Sequence, residues 1–183
     1  MTGEDWLCAR IVEKDWRHFA WLYVFRRQFL IEKKLQFRPK ILHEDIAFTT
    51  EAVLTASQII YIEACLYRYR QNPASLTGST DVSRVMARID SYFVVVEQLR
   101  QLNQRLPMRH TTKTLLASEI IGQALQVFEV AKMLRASEQY QRVIAECKTR
   151  RFAQSLFQHV TNVKRLRQVC RMWLAQSGIA GFR

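Results

Sequence analysis

The chain has 183 residues, 49% of them apolar, with 28 basic against 16 acidic residues and a formal net charge of +12. That is enough apolar matter for a buried core, which excludes a disordered polypeptide, and 5 glycines with 3 prolines are too few for the many turns of an all-β sandwich or barrel. The longest wholly apolar run, Phe19 to Phe25, falls far short of the roughly 20 residues of a membrane-spanning helix.

In chain order, Glu4, Asp5 and Arg10 interrupt the first stretch, so it does not read as a signal peptide. Arg17 to Phe25 is aromatic and β-branched, which predicts a strand. Arg26 to Lys34 reads as a short helix, broken at Phe37-Arg38-Pro39 because the residue before a proline avoids the α region. Glu44 to Ser57 carries Ile46, Phe48, Val53 and Leu54 behind two acids, the pattern of a helix with carboxylates at its positive end. Ile59 to Ile62 reads as a buried strand, and Cys65 to Arg70 alternates as a half-exposed strand does. Asn72-Pro73 turns the chain.

After Ser79 the period becomes helical. Val85, Met86, Ile89, Tyr92, Phe93, Val96, Leu99, Leu102 and Leu106 draw one stripe on a long helix from Val82, with Ser79, Thr80 or Asp81 as its cap and Pro107 as its stop. Further helices are predicted from about Thr112 to Leu134 and from Ser137 to Cys147. A last one has Phe152, Leu156, Val160, Val163, Leu166, Cys170, Trp173 and Leu174 on its apolar face, before a frayed end at Gly178 and Gly181. The expected fold class is therefore an α/β fragment, mostly helical. Residues 1–79 form one domain, a piece of a sheet whose other strands lie elsewhere, and residues 80–183 form a bundle-like helical region with a basic tail.

Charge is unevenly spread. No acid follows Glu146, whereas Lys148, Arg150, Arg151, Lys164, Arg165, Arg167, Arg171 and Arg183 do. Such a tail suits a polyanion: an anionic membrane surface, or nucleic acid; the bland reading is a solvated basic face. Interleaved stacking aromatics would favour nucleic acid, but Phe152, Phe157 and Trp173 fall on the predicted apolar face, which disfavours it. Cys8, Cys65, Cys147 and Cys170 show no CxxC spacing and read as reduced, mostly buried thiols of a cytoplasmic protein. His18, His43, His110 and His159 form no HxxxH pair, so no metal site is expected within this chain.

The stretch from Phe25 to Ser79 holds an arginine-rich short helix ending in Phe29-Leu30, the Phe37-Arg38-Pro39 turn, Glu44-Asp45 opening a helix that continues to Phe48, Ile60-Tyr61-Ile62, Leu66-Tyr67-Arg68-Tyr69-Arg70 and Ser75-Leu76-Thr77. With the aromatic strand before it, this ordered set, from Phe19 to Ser79, closely resembles the second half of the catalytic domain of family 2 glycosyltransferases. These are GT-A type enzymes of bacterial polysaccharide synthesis, including lipopolysaccharide and capsule. The resemblance implies an inverting transfer of a sugar from a nucleotide diphosphate to a hydroxyl of a saccharide or lipid-linked acceptor. It makes Asp45 the general base, with Glu44 orienting its neighbour or a ligand. It puts the loop from Gln71 to Thr77 beside the donor diphosphate, where Arg70 offsets phosphate charge or else faces water. Trp21 forms an acceptor floor or belongs to the core, and His43 stands beside the site or is structural. From the residues alone, Glu44 and Asp45 are ordinary first-turn acids.

The family's first half, with its "P-x-Y-N" turn, "D-D-x-S-x-D" nucleotide site and Asp-x-Asp motif for a divalent metal (Mg or Mn), has no match before Asp45. The expectation is a truncated reading frame or one segment of a split enzyme, inactive alone and prone to self-association or to pairing with the missing half. It is expected in the cytoplasm or on the inner face of the cell membrane. The competing reading is a non-enzymatic basic helical protein that binds nucleic acid or a partner subunit.

Overall fold

The computed structural model describes residues 1–70, 80–135 and 137–177. The turn at Asn72-Pro73, the loop from Gln71 to Thr77, the Ser79 cap and the Gly178 to Gly181 end lie outside them. The α-helices are α1 (Gly3–Val12), α2 (Arg27–Glu32), α3 (Glu44–Thr55), α4 (Val82–Arg105), α5 (His110–Ala131), α6 (Glu138–Thr149) and α7 (Val163–Gln176), with short 3₁₀ segments at Ala20–Leu22, Lys132–Leu134 and Gln154–His159.

There is no strand among the described residues, so the expected α/β sheet fragment is not present and the fold is helical. Arg17 to Phe25 contains a 3₁₀ turn between extended residues, and residues 59–70 form no ladder. The physical reason is a lack of pairing partners. β-branched and aromatic residues favour a strand through packing against cross-strand neighbours, not through the backbone alone. Here Val24 is 97% exposed and Leu66 78%, with no cross-strand neighbour to cover them.

The helical expectations fare better. The α4 stripe of Val85, Ile89, Phe93, Val96 and Leu99 is buried against Leu116, Ile120, Ile121, Ala124 and Val127 of α5, and these two helices form the main contact of the molecule. The Asp81 carboxylate caps α4 by accepting from the Arg84 amide (3.1 Å), and Leu106, before Pro107, is its C-cap. Ile46 and Ala47 join the same core from α3, Val143 and Cys147 from α6, and Val169 and Met172 from α7. A smaller cluster of Leu35, Phe48 and Ala52, flanked by Phe25 and Phe29, seats α2. All four cysteines are free; only Cys147 is fully buried, against the expectation that most would be, and burial pushes its thiol up to about 12.

The last predicted helix is two elements. A 3₁₀ segment ends at His159, and α7 starts afresh behind Asn162, whose side chain accepts from the Arg165 amide (3.0 Å). Its phase is also reversed: Val169, Met172 and Gln176 face the core, whereas Val163, Leu166 and Trp173 face out.

At the other end, α1 lies across α3 and α5. Glu4 accepts from the Arg109 amide (2.8 Å) and the Thr112 hydroxyl (2.6 Å), and Asp5 pairs with the Arg109 guanidinium (2.5 Å). Two acids of α1 thus serve the electropositive start of α5, which has no side-chain cap of its own. Burial pushes the Glu4 carboxyl up, but the hydrogen bonds from Thr112 and Arg109 outweigh it and hold it below the usual range. Gly3 is the contact point with α3: its amide donates to the Ala56 carbonyl (3.0 Å), and a Cβ there would stand 1.7 Å from the Val53 carbonyl oxygen. The blocking atom is backbone and cannot swing away. Gly3→Ala is therefore expected to lift α1 from α3 and to cost about 3 kcal/mol in urea unfolding.

Candidate functional site

The site is built around the entry to α3. The chain enters through His43, whose backbone is left-handed (φ 59°, ψ 31°). A non-glycine residue holds that conformation at a cost of about 1–2 kcal/mol unless its surroundings enforce it. Here they do. The Leu42 amide donates to Ser91 Oγ (2.9 Å), and Ser91 Oγ donates to the Ala87 carbonyl (2.7 Å). The His43 ring stacks on Tyr92 with centroids 4.6 Å apart. So α4 fixes the direction in which α3 starts.

That start separates the two acids. Glu44 lines a small cleft of about 80 Å³ with Gln36, Arg38, Phe48, Glu51 and Arg105, where Arg105 pairs with Glu51. Asp45 does not line that cleft; it is half-buried against the 3₁₀ turn, near the Ala20 amide. Burial pushes its carboxyl above the usual carboxylate range and the Glu44 charge adds to this; His43 and hydrogen bonds from the Asp45 and Ala20 amides oppose it. A helix N-terminus alone would lower it, so the net direction is opposite to what the sequence position suggests.

Trp21 follows Ala20 in the turn. Its indole stacks on Phe19 (4.9 Å), Tyr67 (6.0 Å) and Tyr69 (6.2 Å). Trp21 is 45% exposed, Tyr67 52% and Tyr69 58%, so the rings form an open platform instead of a core. Arg70 is exposed and follows Tyr69 directly. Of the residues singled out from the sequence, Asp45 and Trp21 are thus joined through Ala20, His43 lies behind them, Glu44 faces the neighbouring cleft, and Arg70 is tied to the platform only by sequence.

Beside His43 and Tyr92 lies an interior group that sequence reading missed. Arg88 is buried and its guanidinium reaches Met133 Sδ (3.3 Å). Burial holds the His43 imidazole below its ordinary value, and the nearby Asp45 and Arg88 charges act on it in opposite directions. Burial raises the Tyr92 phenol. A sequence signal existed for Arg88, a cation three residues past Val85 and four before Tyr92 on the apolar stripe of α4. Among the described residues no three His, Cys, Asp or Glu side chains lie together in a way that fits a divalent metal.

Chemically, an elevated carboxyl beside an exposed aromatic stack can take a hydroxyl proton from a ring-shaped ligand lying on the stack. No family model matches the chain, and no solved structure matches it. The chain is 27% identical over 171 residues to a protein of Escherichia coli (strain K12) named uncharacterized glycosyltransferase YibD; the alignment covers 90% of this chain and 48% of that protein. The chain spans about half the length of the curated relative it matches.

Proposed function

We propose that this chain is part of an inverting glycosyltransferase, similar to family 2, in which Asp45 is the general base. The acceptor hydroxyl attacks the anomeric carbon of a nucleotide-diphosphate sugar. A new C–O bond forms, the bond to the diphosphate breaks, and the hydroxyl proton passes to the Asp45 carboxylate. An alcohol is a poor nucleophile at neutral pH, so a base within hydrogen-bond reach is what the step needs. The observation that carries the reading is the half-buried Asp45 carboxyl held one residue away from the Trp21 platform. The name of the relative supports it at the level of glycosyl transfer.

In this reading residues 1–79 supply the chemistry and residues 80–183 hold it in place, chiefly through Tyr92 and Ser91. The acceptor is a saccharide or lipid-linked saccharide of a cell-surface polysaccharide, stacked on the platform, and Arg70 meets the departing diphosphate. In the same reading the donor pocket, and the Mg or Mn ion that would hold the diphosphate, lie outside the residues of this chain.

The test is a panel of nucleotide-diphosphate sugars offered with oligosaccharide acceptors to the chain supplemented with the uncovered half of the relative. Sugar transfer is expected from the mixture, none from the chain alone, and transfer slower by about 10²–10⁴-fold from the mixture with Asp45→Asn. Transfer undiminished in that variant removes Asp45 from the reaction. Saccharide binding offers an independent check on the chain alone: an acceptor-type oligosaccharide is expected to quench Trp21 fluorescence, and Trp21→Ala to weaken its binding about tenfold, the order of one lost stacking contact.

A further inference from the structure

The outward face of α7 carries an inference separate from the site at Asp45. Val163, Leu166, Cys170, Trp173 and Leu174 recur in steps of three, four, three and one, which places them along one side of the helix. The packing turns this side away from the core, which is filled instead by Val169, Met172 and Gln176. Val163 is 64% exposed, Leu166 42% and Trp173 39%. Beside this apolar stripe runs a second one of exposed Lys164, Arg167 and Arg171. The remaining arginine of the helix is used internally: Arg165 Nε donates to Ser118 Oγ (2.7 Å) and Nη1 to Gln168 Oε1 (2.9 Å). No acid occurs from Cys147 onward to neutralise the outer row.

We propose that this face of α7 docks on the surface of an anionic lipid membrane. An interfacial helix needs an apolar side that sinks into the headgroup boundary and cations that remain at phosphate level. The α7 face has both side by side, and its largest apolar residue, Trp173, is of the type enriched at such boundaries. Lys and Arg stems reach along the boundary while their charged ends stay in water. A protein partner fits less well, because interface cores are depleted in lysine and the row of cations has no acids of its own to offset it. The candidate is a surface contact only, since no helix among the described residues is long and apolar enough to cross a membrane.

The test is co-sedimentation of the full chain with vesicles of equimolar phosphatidylglycerol and phosphatidylcholine, against vesicles of phosphatidylcholine alone. Binding to the anionic vesicles only is expected. Arg167→Glu with Arg171→Glu is expected to weaken it by more than tenfold, since each surface cation contributes about fivefold. Leu166→Ser with Trp173→Ser is expected to abolish it with no loss of thermal stability, because both side chains lie outside the core. The blue shift of tryptophan emission on adding anionic vesicles is expected to shrink in Trp173→Phe. Binding that survives Leu166→Ser with Trp173→Ser overturns the proposal. So does a wild-type dimer that this pair of substitutions makes monomeric while vesicle binding persists. Displacement of the vesicles by single-stranded RNA, with RNA binding abolished by the same apolar pair, assigns the face to nucleic acid and also overturns it.

Discussion

Asp45→Asn is expected to lower kcat for sugar transfer by about 10²–10⁴-fold, the usual contribution of a positioned general base, with KM for the acceptor little changed. The amide keeps the shape of the carboxylate and loses only the ability to take a proton, so the damage belongs in the transition state. The pH profile gives a second reading of the same residue. Burial, followed by the Glu44 charge, raises the Asp45 carboxyl. Activity requires the ionised form. It is therefore expected to rise with pH through a midpoint above the ordinary carboxylate range and to be lost below it. Glu44→Gln removes one of the two causes, so its acid limb is expected to move to lower pH, toward the range of a free carboxyl. An acid limb that does not move in Glu44→Gln would assign it to another group.

The same shift has a cost in stability. A carboxyl whose folded pKa lies above its unfolded one favours the folded state when protonated. That contribution is present below the unfolded pKa and is lost as pH rises through the folded pKa. At neutral pH the Asp45 charge therefore works against folding, and Asp45→Asn is expected to raise the urea midpoint while removing activity. Gain of stability with loss of turnover is the signature of a residue kept for its chemistry.

The long helices were legible because their apolar residues repeat over many turns, as Val85 to Leu102 shows for α4. Their contacts were not. A helical stripe states that a helix has an apolar side, but not that this side faces the core. In α7 the richer stripe, Leu166 and Trp173 included, faces out, and a sparser one with the buried Gln176 faces in. Strand-like composition likewise asks for partners that a local reading cannot supply. Residues 17–25 and 59–70 have the right side chains, yet they meet through stacked rings and not through a hydrogen-bonded ladder. The Glu44-Asp45 pair stood out through its resemblance to a known motif. Its surroundings did not, because Ala20 and Tyr92 reach it from distant parts of the chain. Of the acids that carried no functional signal, Glu4 proves to cap another helix, and Asp5 pairs with the Arg109 guanidinium at its start.

Stability is expected to fall with acid from about pH 6.5, above the range in which ordinary carboxylates titrate, and His159 is a residue that sets this. It closes the 3₁₀ segment Gln154–His159 as a buried side chain. Burial, with the Arg100 charge adding to it, lowers its pKa to about 4. In the unfolded chain a histidine titrates near 6.5. Between these values the unfolded state binds a proton that the folded state refuses, so stability is complete above about pH 6.5 and falls steadily as pH drops toward 4. The gap corresponds to about 3 kcal/mol, a large share of the 5–15 kcal/mol that holds a typical domain together. The local bonding agrees, since Gln158 Nε2 and His159 Nε2 lie 3.2 Å apart. That contact is a hydrogen bond only if the ring nitrogen is unprotonated and accepts from the amide. His159→Gln keeps a polar side chain of related size without the titration. Its urea unfolding free energy is expected to lose about 3 kcal/mol less than the wild type between pH 7 and pH 4. Burial lowers His18 and His43 in the same direction, so a smaller slope is expected to remain in the variant. Identical slopes in the two proteins would place the acid transition elsewhere, with those two histidines as the next to be replaced.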